Sequence, residues 1–185
     1  MLKFLSKVIL KILGWQLTID LPENKKLILI GAPHTSNWDF PLALLAFWTI
    51  ETPVYWVAKI QMFRGPLHYV FTALGGIPVD RSSANGFINQ IADKFKQTDT
   101  MALAIAPEGT RAKTQYWKSG FYFIALEVSA PICLGYIDYK TKTLGFKSAL
   151  YPTGDIDADM ITIADHYQDI VGKHPENQGP IKIRK

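Results

Sequence analysis

His34 and Asp39 stand five positions apart in the run 33–39, Pro-His-Thr-Ser-Asn-Trp-Asp. A carboxylate bonded to one ring nitrogen of a histidine fixes its tautomer and leaves the other nitrogen free to take a proton from a hydroxyl. On one continuous helix this spacing would separate the two side chains by about 140° around the axis. They meet only if His34 lies in a loop and Asp39 in the first helical turn, and Thr35, Ser36 and Asn37 between them are residues that cap helices. No Gly-x-Ser-x-Gly elbow occurs, so a hydroxyl activated by such a base would belong to a substrate. Taken alone, the pair reads equally well as a structural His–Asp cap.

Two further runs carry chemistry. In 107–111, Pro-Glu-Gly-Thr-Arg, Arg111 offers a planar fork for a phosphate or carboxylate and Gly109 permits close approach of a backbone. Glu-Gly-Thr-Arg arises by chance on the order of 10⁻⁵ per position. A turn with a surface Glu108–Arg111 pair explains the glycine but not the placement after an apolar strand. In 75–81, Gly-Gly-Ile-Pro-Val-Asp-Arg, a second cation appears at Arg81, and Asp80–Arg81 alone reads as a plain strand-end ion pair.

The elements that must position these residues follow from the apolar pattern. Segments 27–32, 54–58, 76–79, 101–106 and 131–137 are apolar without alternation, as expected of strands buried on both faces. Helical stretches lie between them, running to about 50 and over 60–74, 84–97 and 119–129. Such alternation with short connections predicts an α/β fold, a mostly parallel central sheet flanked by helices. After 138, a hairpin through 140–143 leads to a strand near 144–150, a helix near 158–172 and a polar tail, 174–185. The loops bearing His34–Asp39, Asp80–Arg81 and Glu108–Arg111 all follow strands, where ligands gather in open parallel sheets. One site built from all three is the expectation.

Composition bounds the partners. Of 185 residues 48% are apolar and 19% charged, with five Trp, eight Tyr and ten Phe, a greasy chain suited to lipid headgroups. A net charge of +4 and a pI near 9.1 favour anionic partners, while scattered Lys and Arg without a binding motif speak against nucleic acid. The single Cys133 excludes an intrachain disulfide, favours a cytoplasmic setting and, in its apolar run, reads as inert. The apolar stretches 40–50 and 131–137 fall short of the ~18–20 residues of a transmembrane span, and the N-terminus does not read as a signal peptide.

Residues 1–14 read as an amphipathic membrane-association helix. Lys3, Ser6, Lys7 and Lys11 fall on one side with Leu10 intruding, and Leu2, Phe4, Leu5, Val8, Ile9, Ile12 and Leu13 cover the rest. That pattern suits a helix in an anionic headgroup layer; the alternative is a helix docked on the protein's own core. The remainder, 15–185, reads as a single domain, giving a peripheral protein on the cytoplasmic face of a membrane.

Taken together these blocks resemble the glycerophospholipid acyltransferase family, whose best-known members are the lysophosphatidate acyltransferases. His34 and Asp39 match its H-x4-D motif, 63–65 its Phe-Arg/Lys-Gly step, 76–81 its glycine–hydrophobic–Asp-Arg block and 107–111 its Pro-Glu-Gly-Thr-Arg block. Residues 130–132 match its apolar Pro-containing block, and Lys118 and Gly120 its Lys-x-Gly. The resemblance spans about residues 25–138; Pro33 stands where the family usually has Asn, and Pro78 where an aromatic is common. It implies a glycerol-phosphate acyltransferase-like fold and acyl transfer from acyl-CoA or acyl carrier protein to the hydroxyl of a lysophospholipid, lysophosphatidate or a related lysolipid. It implies His34 as general base, Asp39 as its orienting carboxylate, Arg81 and Arg111 on the acceptor's phosphate, and Glu108, Gly109 and Thr110 shaping that pocket. No metal, no cofactor beyond the donor and no covalent enzyme intermediate are implied. Oxyanion donors are expected among backbone amides near the start of the helix after His34. Two other readings remain: a lipid or thioester hydrolase using the same dyad on water, and a non-catalytic lipid-binding module.

Overall fold

The continuous apolar character of the central strands has a direct structural cause, because alternate residues of each strand face two different helix layers. The computed structural model describes residues 1–79 and 84–184. Its elements begin with α1 (Leu2–Ile12), β1 (Gln16–Ile19), β2 (Lys26–Gly31), α2 (Asp39–Phe47) and β3 (Val54–Lys59). A 3-10 turn (Ile60–Met62), α3 (Leu67–Ala73), β4 (Gly76–Val79), α4 (Ala84–Lys96) and β5 (Met101–Ile105) follow. The chain ends with α5 (Gly120–Glu127), β6 (Ile132–Asp138), β7 (Thr143–Leu150), α6 (Ile156–Tyr167) and a 3-10 turn (Pro175–Asn177).

Seven strands form one sheet in the order β1-β7-β6-β2-β5-β3-β4. Only the β6–β7 pair is antiparallel, which makes the sheet mixed but mostly parallel. On β2, Ile28 and Ile30 face a core built with Phe95 of α4, Tyr122 of α5 and Ile163 of α6. Leu27 and Leu29 face the other side, where Trp56, Phe63 and Phe146 pack with Phe40 and Phe47 of α2 and Phe71 of α3. The connection from β2 crosses over β5 to reach β3, and that from β5 crosses back over β2 to reach β6. Adjacent central strands whose connections leave in opposite directions open a crevice at their carboxyl ends. The loops carrying His34 and Arg111 follow those two strands.

Four features differ from what the sequence suggests. The helix expected over 60–74 is broken: Gly65 adopts φ +59°, a left-handed turn that suits glycine, and Pro66 precedes the first residue of α3. Strand β1 is additional; it pairs parallel with β7 at the sheet edge. The final residues, expected as a polar tail, pack back on the body: the Trp117 amide donates to the Lys182 carbonyl at 2.8 Å, and Trp117 bridges to Ile183. Helix α1 docks by the side counted as polar, burying Ser6 and Leu10 against Leu42, Leu45 and Leu144, and so turns Phe4 and Ile12 outward. No helix among the described residues is long and apolar enough to cross a membrane.

Candidate active site

Strand β2 ends at Gly31 and α2 begins at Asp39, so His34 lies in the connecting loop and Asp39 in the first helical turn. The structure therefore permits the contact that a continuous helix would forbid, and His34 Nδ1 lies 3.0 Å from Asp39 Oδ2. The same oxygen accepts the amides of Thr35 and Ser36, both at 2.9 Å. Asp39 Oδ1 accepts the hydroxyl of Tyr139 at 2.7 Å. Burial pushes the Asp39 pKa up, but the hydrogen bonds from His34, Tyr139 and the Ser36 amide, with the His34 charge, outweigh it and hold the carboxyl below its ordinary value. An ionised carboxylate only accepts, so Nδ1 carries the proton and Nε2 is the basic nitrogen.

Glu108 sits beneath this pair rather than in the substrate space. It is buried, and its Oε2 accepts the backbone amide of His34 at 2.8 Å. Burial above all, with the neighbouring Asp39 charge, pushes its carboxyl up to about 8 against the opposing pull of the His34 amide. Glu108 anchors the His34 backbone and is not among the residues lining the cavity, which Gly109, Thr110 and Arg111 are. Arg111 hydrogen-bonds through Nη1 to the Asn37 side chain, tying together the loops after β5 and β2. Arg81, with Asp80, lies outside the described residues.

The amides at 34, 35 and 36 are all committed, to Glu108 and Asp39, which leaves that of Asn37 near the start of α2. The amides of Asn37, Thr110 and Arg111 have no hydrogen bond among the described residues, and all three residues line the cavity. Among the described residues, no hydroxyl or thiol is paired with His34. The Ser36 hydroxyl accepts the Trp38 amide at 3.2 Å, that of Thr35 the His174 amide at 3.1 Å and that of Thr110 the Ala112 amide at 3.2 Å. Cys133 is buried, which pushes its thiol up to about 12.

From this polar end a cavity of about 570 Å³ runs between α2 and the sheet, within the ~300–1,000 Å³ range of ligand sites. Phe40, Ala43 and Phe47 share one stripe of α2 and line it, facing Leu29, Trp56, Ala58, Ala104 and Phe146. Small residues at 43, 58 and 104 keep the space open. The result is an apolar pocket with a base, a cation and unpaired amides at one end.

Two supports escaped the sequence reading. Tyr139 follows β6 and packs edge-on against Trp15, with ring centroids 5.1 Å apart; burial, and then its bond to Asp39, pushes its pKa up. The segment after α6 clamps the His34 loop: Lys173 lies over the Trp38 ring, and a side chain on Gly172 would come within 2.8 Å of Thr35 Oγ1 and 3.1 Å of Pro33 Cγ. A Cβ there would force the Thr35 side chain to shift. The close approach also gives Pro33 a packing partner.

Glu108 generates a stability prediction. Its folded-state pKa of about 8 lies above the ordinary 4.5, so between these values the folded protein keeps a proton that the unfolded chain releases. Stability should therefore fall as pH rises through this window. Glu108→Gln should flatten that fall, as read from Tm measured from pH 5 to 8; an unchanged slope would place the carboxyl's titration elsewhere.

Comparisons with known proteins bear on the family and the fold. The sequence model of the Acyltransferase family matches residues 17–135. No curated protein sequence matches the chain. Among solved structures, the fold is similar to the crystal structure of PlsC, the 1-acyl-sn-glycerophosphate (LPA) acyltransferase of Thermotoga maritima, with a TM-score of 0.61 and 16% identity over 90% of this chain and 75% of that one. The chain belongs to the acyltransferase family, and its reaction is the transfer of an acyl group.

Proposed function

We propose that the protein transfers a fatty acyl group from an acyl thioester, acyl-CoA or acyl carrier protein, to the hydroxyl of a lysophospholipid-type acceptor at a membrane surface. The observation that carries this reading is His34, held by Asp39 through Nδ1, lining an apolar cavity with Arg111 and, among the described residues, no nucleophile paired with it. The acceptor's hydroxyl gives its proton to His34 Nε2 while its oxygen attacks the thioester carbonyl. The amides of Asn37, Thr110 and Arg111 are the donors on hand for the oxyanion that forms. Collapse breaks the carbon–sulfur bond, and the leaving thiolate recovers the proton from the imidazolium. Asp39 remains ionised throughout, stabilising that imidazolium. Arg111 supplies the fork for the acceptor's phosphate, and the cavity between α2 and the sheet takes an acyl chain. The acceptor of the similar Thermotoga maritima enzyme, 1-acyl-sn-glycerophosphate, is the first lysolipid to test. The outward apolar face of α1, with Lys3, Lys7 and Lys11 beside it, supports a peripheral position on an anionic, cytoplasmic leaflet.

The decisive experiment incubates the purified protein with acyl-CoA and acyl carrier protein donors and a panel of lysolipids. Acyl transfer should fall by at least ~10²-fold in His34→Ala; equal activity in the variant, or thioester hydrolysis without transfer, sinks the proposal. Tyr139→Phe removes one hydrogen bond from the Asp39 carboxylate. It should lower kcat by about tenfold with little change in KM and move the acid limb of the rate profile to higher pH, because the carboxyl loses a donor that holds its pKa down. An unmoved limb would reduce Tyr139 to a packing role. Arg111→Ala should raise the KM of a phosphate-bearing acceptor by ~10-fold or more, with the donor's KM little altered; equal effects on both would remove its assigned partner.

A further inference from the structure

Residues 52–79 contain no Asp or Glu, while Lys59 and Arg64 lie among them. Within that stretch the 3-10 turn and α3 expose Ile60 at 49%, Met62 at 44%, Leu67 at 51%, Tyr69 at 77% and Val70 at 51%. So many large apolar side chains within eleven residues form a patch rather than the scattered exposure of an ordinary surface. The patch is not a frayed end. Trp56 stacks on Phe63 and meets Phe71 edge-on, and its indole nitrogen donates to the Leu74 carbonyl at 2.8 Å. Phe63 is itself buried. The segment is thus pinned from beneath while its outer side chains have nothing to cover them.

Two observations name the occupant. Among the described residues the patch has cations and no acid, so it complements an anionic surface, and Tyr69 has the amphipathic ring that sits at headgroup level. It is also continuous with the cavity, since Lys59, Met62 and Phe71 line it. Helix α1, with its own outward apolar face, lies on the other flank of α2: α1 packs over β7, whereas α3 shares the Trp56 cluster with Phe40. We propose that the 3-10 turn and α3 form a second bilayer contact, separate from α1, through which the lipid substrate passes between the membrane and the cavity. The passage of substrate rests on the lipid-acylating reading above; the contact itself does not.

The test uses the full chain and vesicles of phosphatidylcholine with and without phosphatidylglycerol. Leu67→Glu combined with Val70→Glu, neither of which lines the cavity, should weaken co-sedimentation with the anionic vesicles about tenfold or more. Binding within about twofold of the parent, or no binding by the parent, overturns the proposal. A milder variant guards against misfolding: Tyr69→Cys carries an environment-sensitive fluorophore, Cys133 being buried. Its emission should shift to the blue on vesicles, and an unchanged spectrum overturns the contact. A parent dimer that the double variant abolishes would assign the face to a second copy and overturn it equally. Acyl transfer should drop for a vesicle-borne acceptor but hold for a short-chain soluble one. A vesicle-bound but inactive parent overturns the proposed function alone, whereas an active double variant that binds and acylates like the parent overturns this inference alone.

Discussion

The carboxylate of Asp39 is nearly removed from solvent, and four donors converge on it: the His34 ring, the amides of Thr35 and Ser36 and the hydroxyl of Tyr139. A buried charge is expensive unless hydrogen bonds replace its water. Meeting that demand dictates the local fold. The chain must bend after β2 so that two successive amides point at one oxygen, and this bend brings the His34 ring within reach. The hairpin after β6 must come close enough to offer a phenol to the other oxygen. The position of the His34 ring is therefore a consequence of solvating Asp39, and Trp15 and the segment after α6 hold in place the pieces that do so.

Beside this charged carboxylate stands a second buried one in the opposite state. Glu108 shares the site but has one donor among the described residues, the His34 amide, and burial pushes its carboxyl up to about 8. Two adjacent carboxyls cannot both hold charge cheaply in such surroundings, and the imbalance of donors decides which one does. The division has a functional logic. A charged Asp39 stabilises an imidazolium on His34, whereas a second charge on Glu108 would add to the repulsion around Asp39 and pull the site toward a cation at rest. A largely neutral Glu108 anchors the His34 backbone without that penalty.

Legibility in the sequence tracked the distance over which each feature is made. The central strands were visible because burial on both faces leaves a continuous apolar run, and the His34–Asp39 contact because a strand end, cap residues and a helix start lie within eight residues. Strand β1 was not, since Gln16–Ile19 is short, mostly exposed and exists only by pairing with β7. The break before α3 was masked by an apolar spacing that continued across Gly65 and Pro66. At the site, the bond between Glu108 and the His34 amide was not legible, because the two lie 74 positions apart. Tyr139 and Gly172 were missed for the same reason: their partners Asp39 and Thr35 are remote, and both lie beyond residue 135, where the family match ends. The cavity was illegible because alanines at 43, 58 and 104 come together only in the folded sheet.

The inverted docking of α1 bears on where the protein's apolar surface is kept. A helix on a soluble domain normally turns its apolar stripe inward. Here Ser6 and Leu10 go inward, with the Ser6 hydroxyl buried and without a partner among the described residues, while Phe4 remains 75% and Ile12 78% exposed. Leaving a hydroxyl unpaired to keep large apolar groups outside runs against both burial and hydrogen bonding. The proposed membrane contact of α1 would give that outward stripe a partner other than water. The exposed side chains of α3 lie on the same helix layer, on the far side of α2, above a cavity whose apolar wall begins at α2 itself. A chain with 48% apolar residues thus withholds part of them from its core, on α1 and on the 3-10 turn with α3, a distribution that the proposed bilayer contacts would use.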